Sequence, residues 1–196
     1  MKGLLALICM VVVFSSAGRG AGQQTIVSTK ATNLERALTQ LQGTPDDPAV
    51  QRRYLEAFPH TYKEYLQLFE PRQPLYDGHD YVDAISSLAK NHGLAVGKLL
   101  VNLSKEAHYD ADAPSYLQSA TCKYGSRYTA RFLALLKKLP PSEQANLVTF
   151  LADVENHQAY TEYEILIAHS KALGEIALAK KFEFARAVRE KRSHHH

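Results

Sequence analysis

Cysteine is almost missing from this chain: Cys9 and Cys122 are the only two among 196 residues. Cys9 lies in an apolar N-terminal run and follows Ile8, where a lipidated cysteine would follow a small residue, so lipid attachment is excluded. With that run removed, Cys122 stands alone and no disulfide can close within the chain. Its setting, "SATCKYGSRYTARF", is a helical pattern with no histidine close by. A lone cysteine there reads as a small buried hydrophobe, not a nucleophile.

Catalytic signatures are missing too. "YGSRY" around Ser126 is not G-x-S-x-G and has no strand before it. There is no phosphate-cradling glycine loop, no C-x-x-C and no H-E-x-x-H. His157 and His169 are lone histidines in helical patterns and read as satisfied core or surface residues. The final His194 to His196 read as a tag remnant and are set aside.

An excess of one charge is also lacking. The formal charge is +3 from 23 basic and 20 acidic residues, and Lys2 and Arg19 fall in the first 21 positions. Without those two cations the balance is +1. That leaves no electrostatic footprint for nucleic acid. The cations between Lys180 and Arg192 are interrupted by Glu183 and Glu190 and suit the negative end of a C-terminal helix.

Long hydrophobic runs are absent as well. "LLALICMVVVF" (Leu4 to Phe14) has eleven apolar residues, well short of the roughly twenty needed to cross a hydrocarbon core. Lys2 before it and the small residues of "SSAGRGAG" after it make a secretory signal peptide over 1–21. The mature chain is then expected to begin near residue 18 or 22, to be periplasmic or secreted, and to have no membrane attachment.

What is present is helical periodicity. The expected fold is all-α, a single compact domain over 22–193 of about seven or eight packed helices. Residues 23–28 are read as a short leader, "QQTIVST" being the one β-branched cluster. Leu34, Ala37, Leu38 and Leu41 make a first stripe that Gly43 stops. Asp47 and Pro48 start a second helix that Pro59 ends. Thr61 with Glu64 predicts a capping box, followed by the aromatic face of Tyr62, Tyr65 and Phe69. "EPRQPLYDG" (Glu70 to Gly78) is a loop, since two prolines exclude a continuous helix. Gly93 is expected to separate two helices. One long helix is expected from about Leu117 to Leu139, one from near Ser142, and one from about Tyr160 to Arg189.

Two stretches concentrate chemistry. "PLYDGHDYVD" (Pro74 to Asp83) holds Tyr76, Asp77, His79, Asp80 and Tyr81, and "AHYDADAPSY" (Ala107 to Tyr116) holds Tyr109, Asp110 and Asp112. Neither is a calcium loop. Counting from Asp110, the fifth, sixth and twelfth positions are Pro114, Ser115 and Thr121; from Asp77, the twelfth is Leu88. Asp77, His79 and Asp80 supply donors for a metal, but no spacing demands one, so no metal or cofactor is expected. The acids instead fall where helices start, which predicts caps and first-turn charges. If the two stretches converge at one end of the bundle, they make a partner-binding surface, because tyrosine gives contact area at low entropic cost. The alternative is an envelope hydrolase using the acidic loops, with or without a metal.

In overall plan (export, size and helicity) the chain resembles the small helical periplasmic immunity proteins that neutralise cell-wall amidase effectors of type VI secretion. That resemblance implies a non-enzymatic inhibitor whose protein partner is a secreted cell-wall hydrolase, its cleft blocked by side chains from helix-end loops. Self-association into a homodimer stays open.

Overall fold

A computed structural model of the protein describes residues 18–108, 113–154 and 157–193. Among these residues the chain is all-helical, with nine helices and no strand. They are α1 (Gly18–Gly43), α2 (Pro48–Ala57), α3 (Tyr62–Phe69), α4 (His79–Ser104), α5 (Ala113–Arg127), α6 (Thr129–Leu136), α7 (Pro141–Ala152), α8 (His157–Ala172) and α9 (Ile176–Ser193).

Helix α5 is the hub. It packs most extensively against α4 and α8, and also meets α6 and α7. Its buried face mixes Leu117 with the small Ala120, Thr121, Cys122, Gly125 and Ser126, which lets neighbouring backbones approach closely. Helices α2 and α3 lie against α4, α1 packs on α2 and α3, and α9 packs on α7 and α8.

The starts of α2 and α3 follow local chemistry. Asp47 accepts from the amides of Ala49 and Val50 ahead of Pro48. Thr61 accepts from the Glu64 amide (3.2 Å), and the Glu64 carboxylate reaches back to the amide of His60 (3.1 Å).

Four boundaries differ from the sequence reading. Residues 23–28 are not a leader but part of α1 (Gly18–Gly43), which is anchored by the buried Ala31, Leu34, Leu38 and Leu41. Gly93 does not stop a helix. The chain kinks at His92 (φ −120°, ψ 32°) and continues as α4. There the Tyr124 hydroxyl donates to the Gly93 carbonyl at 2.6 Å, a side chain inserted beside the helix ladder. Conversely, the expected Leu117–Leu139 helix is two helices, broken at Tyr128 (φ −123°, ψ 42°). Near that break Thr129 Oγ1 lies 2.9 and 3.0 Å from the Gly125 and Ser126 carbonyls, and His169 Nδ1 lies 3.0 Å from the latter. Side chains thus serve the last carbonyls of α5.

The expected final helix is also two. Gly174 sits at φ 77°, the Gly174 amide donates to Lys171 O, and the Glu175 amide donates to Ser170 O, both at 2.9 Å. That pair of bonds is a Schellman stop, with glycine at the left-handed position.

Candidate functional site: the acid–tyrosine junction

The loop 70–78 is shaped by its own backbone. The Gln73 amide donates to Glu70 O (3.0 Å), Leu75 N to Leu68 O (2.9 Å) and Tyr76 N to Gln73 O (3.2 Å), while the Leu75 side chain is buried. Arg72 and Asp77 both take the left-handed region, at φ 70° and 62°. Aspartate tolerates that conformation better than arginine does. At Gly78 a Cβ would come within 2.7 Å of Leu75 O and of the Phe69 ring, so only glycine fits the corner without rearrangement. The loop is therefore held against the end of α3.

The expected caps are corrected here. The N-cap of α4 is Gly78, with no side-chain capping bond. Asp77, at positive φ, lacks the extended backbone that an N-cap needs. Its carboxylate instead accepts the hydroxyl of Tyr116, from the first turn of α5, at 2.8 Å. Asp80 does lie in the first turn of α4, as expected, whereas Asp83 falls beyond it.

That Asp77–Tyr116 bond joins the two chemistry-rich stretches. His79 lies beside it, its ring 5.9 Å from the Tyr116 ring, with Nε2 3.2 Å from an Asp80 oxygen and Nδ1 3.8 Å from an Asp77 oxygen. The side chains of Asp77, His79 and Asp80 are 68, 54 and 71% exposed, so carboxylates and imidazole face solvent. Tyr76 is 49% exposed. Tyr81 turns the other way. It packs on Phe69, with ring centroids 5.7 Å apart, and desolvation holds its phenol above the usual range. Tyr109, Asp110 and Asp112 lie outside the described residues.

Beneath the junction is a tyrosine wall that the sequence showed only as a buried face. The Tyr62 hydroxyl donates to His108 O (3.2 Å) and the Tyr65 hydroxyl to Ala113 O (2.7 Å). Both ends of the segment that carries Tyr109 to Asp112 are thereby tied to α3. Tyr54 donates to Tyr81 O at 2.7 Å. Tyr54 and Tyr65 are fully buried, and desolvation raises both phenols well above their usual range, so both stay protonated donors. Tyr62, Tyr65 and Tyr116 are the residues that create the junction. Their positions were legible as aromatic and their partners were not, because each partner is a backbone carbonyl or a side chain far along the chain.

Among the described residues no group of three or more His, Cys, Asp and Glu is arranged to hold a metal ion. Cys122 is buried, and desolvation drives its thiol far above the ordinary range, which keeps it from acting as a thiolate. No described helix is long and apolar enough to cross a membrane. Comparison with family models, with curated proteins and with solved structures yields no match.

Proposed function

We propose that the protein is an exported binding protein of inhibitor type, and that its partner contact is the acid–tyrosine junction. The observation supporting this reading is the placement of Asp77, His79 and Asp80 beside Tyr116. They form one exposed polar cluster at the start of α4, which Tyr54 ties down through Tyr81 O, while Tyr65 ties down Ala113 at the start of α5. Rigid, exposed aromatic and acidic groups suit recognition because little entropy is lost when they are covered. In the immunity-type version of the reading, the partner is a cell-wall amidase effector. The acids would then engage polar donors in its cleft and occlude it.

The test is affinity capture from an envelope extract, followed by binding measurements on the captured partner. Asp77→Asn keeps the left-handed backbone and an acceptor for Tyr116 while removing the charge. Tyr76→Ala removes contact area. Each is expected to weaken binding at least tenfold with an unchanged circular dichroism spectrum, as an interface anchor should. Full-strength binding by both variants would place the interface elsewhere.

A further inference from the structure

A second region has the opposite chemistry. Helices α2, α4 and the end of α6 enclose a groove of about 700 Å³. Leu55, Leu99, Leu135 and Leu139 form its apolar side. Its charged lining consists of Arg52 from α2, Lys98 from α4, Lys138 just after α6, and a single acid, Glu56. Lys30, Lys105, Lys137, Lys171 and Arg186 each have a carboxylate within 4 Å. Arg52, Lys98 and Lys138 have none among the described residues. His92, at the kink of α4, also lines the groove, its Nε2 held 2.8 Å from Gln51 Oε1.

We propose that this groove binds the monomer of a single-chain anionic amphiphile, with a fatty carboxylate as the type. The alkyl chain lies on the leucine side and the head group meets the three unpaired cations. Charge complementarity selects the sign: three positive charges from three separate stretches of the chain line one groove that holds a single acid. Volume permits the class, because about 700 Å³ lies within the roughly 300–1,000 Å³ of small-molecule sites. Each part alone is ordinary on a protein surface; leucines and unpaired cations bounding one concavity are what an amphiphile needs.

A smaller groove of about 460 Å³ between α7 and α9 provides the internal control. Its cations are more occupied. Lys181 donates to Gln144, and Arg189 lies 3.7 Å from Asp153, leaving Arg192 at its edge.

The probe is dodecanoate below its micelle-forming concentration, titrated calorimetrically into the purified protein. Saturable one-to-one binding is expected, weakening about two- to fourfold for each methylene removed in decanoate and octanoate, as burial of a chain requires. Dodecyltrimethylammonium, with the same chain and the opposite charge, should show no saturable binding. Lys98→Glu and Arg52→Glu are exposed changes that should each weaken dodecanoate about tenfold or more, whereas Arg192→Glu should leave it unchanged. Equal binding of the ammonium and carboxylate amphiphiles would overturn the proposal. So would dependence on Arg192 in place of Lys98, or tight binding of an acidic amphipathic peptide by a groove that ignores dodecanoate. None of these measurements involves the junction, so the outcome is independent of the proposed function.

Discussion

Around α3, Tyr54, Tyr62 and Tyr65 send their hydroxyls to carbonyls 27, 46 and 48 residues along the chain. Around α5 and α8 the small hydroxyls reach only nearby backbone: Thr121 donates to Leu117 O and Ser170 to Leu166 O, each four residues back. Both regions are buried, and no buried side-chain polar atom among the described residues lacks a partner. The difference lies in what the bonds connect. In the α5 region the Thr121 and Ser170 hydroxyls add a second donor to a carbonyl already in the helix ladder, and the contacts these small groups make between helices run to other side chains, Thr121 to Ser104 and Ser126 to Glu162. In the tyrosine wall each hydroxyl bridges separate elements, so the geometry of the junction is a property of tertiary contacts. The helix starts beside the exposed Asp77 and Asp80 are tied down by residues that are themselves buried.

Alkaline pH should produce the largest effect and separate the two regions. Tyr54, Tyr65 and Tyr163 are buried phenols whose desolvation raises them above their usual value of 10.0. Below that value both folded and unfolded states keep the proton, and the stabilising preference is fully present. Above it the unfolded chain releases protons that the folded chain retains, so stability falls as pH rises. Each such tyrosine costs about 1.4 kcal/mol by one pH unit above its unfolded value, or about 4 kcal/mol for the three. Urea unfolding at pH 9 and pH 11 measures this. Two of the three phenols belong to the wall, so Tyr54→Phe with Tyr65→Phe should remove about 2.8 kcal/mol of the alkaline loss, the remainder coming from Tyr163 and from Cys122, Tyr81 and Tyr124, which burial also raises. If the double variant keeps all of it, another group controls the alkaline limb.

Next in size is the direct worth of the bridging bonds. Tyr62→Phe with Tyr65→Phe deletes two hydroxyls and leaves the rings in place. The pair should cost about 1–3 kcal/mol at neutral pH and speed amide hydrogen exchange near His108 and Ala113. Ser170→Ala, in the other region, should stay within about 0.5 kcal/mol, because Leu166 O keeps its helical amide and alanine is the better helix former. Equal costs in the two regions would erase the distinction between bridging and local hydroxyls.

Much of this was readable from local chemistry. Asp47–Pro48, Thr61–Glu64 and the two prolines of the 70–78 loop each act within a few residues, and all appear where expected. The boundaries that differed depend on distant partners. Gly93 looks like a stop, but the carbonyl of that residue is claimed by Tyr124, 31 residues away. Gly174 is the counterexample. "ALGE" carried a local stop signal, but the apolar pattern continuing from Leu166 to Phe184 outweighed it. At the junction, the clustering of Asp77, His79 and Asp80 was visible as composition. Their link to Tyr116 was not, because a left-handed Asp77 turns what looked like a cap into an acceptor for another helix.

The smallest expected effect concerns charge on the wall. Lys30 of α1 donates to Glu64 of α3 at 2.6 Å, with the two side chains 45 and 32% exposed. The Lys30 hydrogen bond is the main cause holding the Glu64 carboxyl below its usual range, helped by the backbone amides of His60 and Thr61. A depressed carboxyl stabilises the fold above its unfolded value and loses that contribution as pH falls through the folded one, so the pair is present at neutral pH and its pH dependence falls on the acid limb. Exposure lets water and salt screen it, and Lys30→Ala should cost no more than about 1 kcal/mol near neutral pH. Adding salt up to about 0.5 M should change the wild-type protein as little, since that shortens the screening length to well under 10 Å. Urea titrations of the variant and of the salt series measure both. A loss above about 2 kcal/mol in either would mean that charge holds α1 to α3. The tyrosine hydroxyls would then be secondary. The expected small loss leaves the neutral hydroxyl–carbonyl bridges as what positions the acids above them.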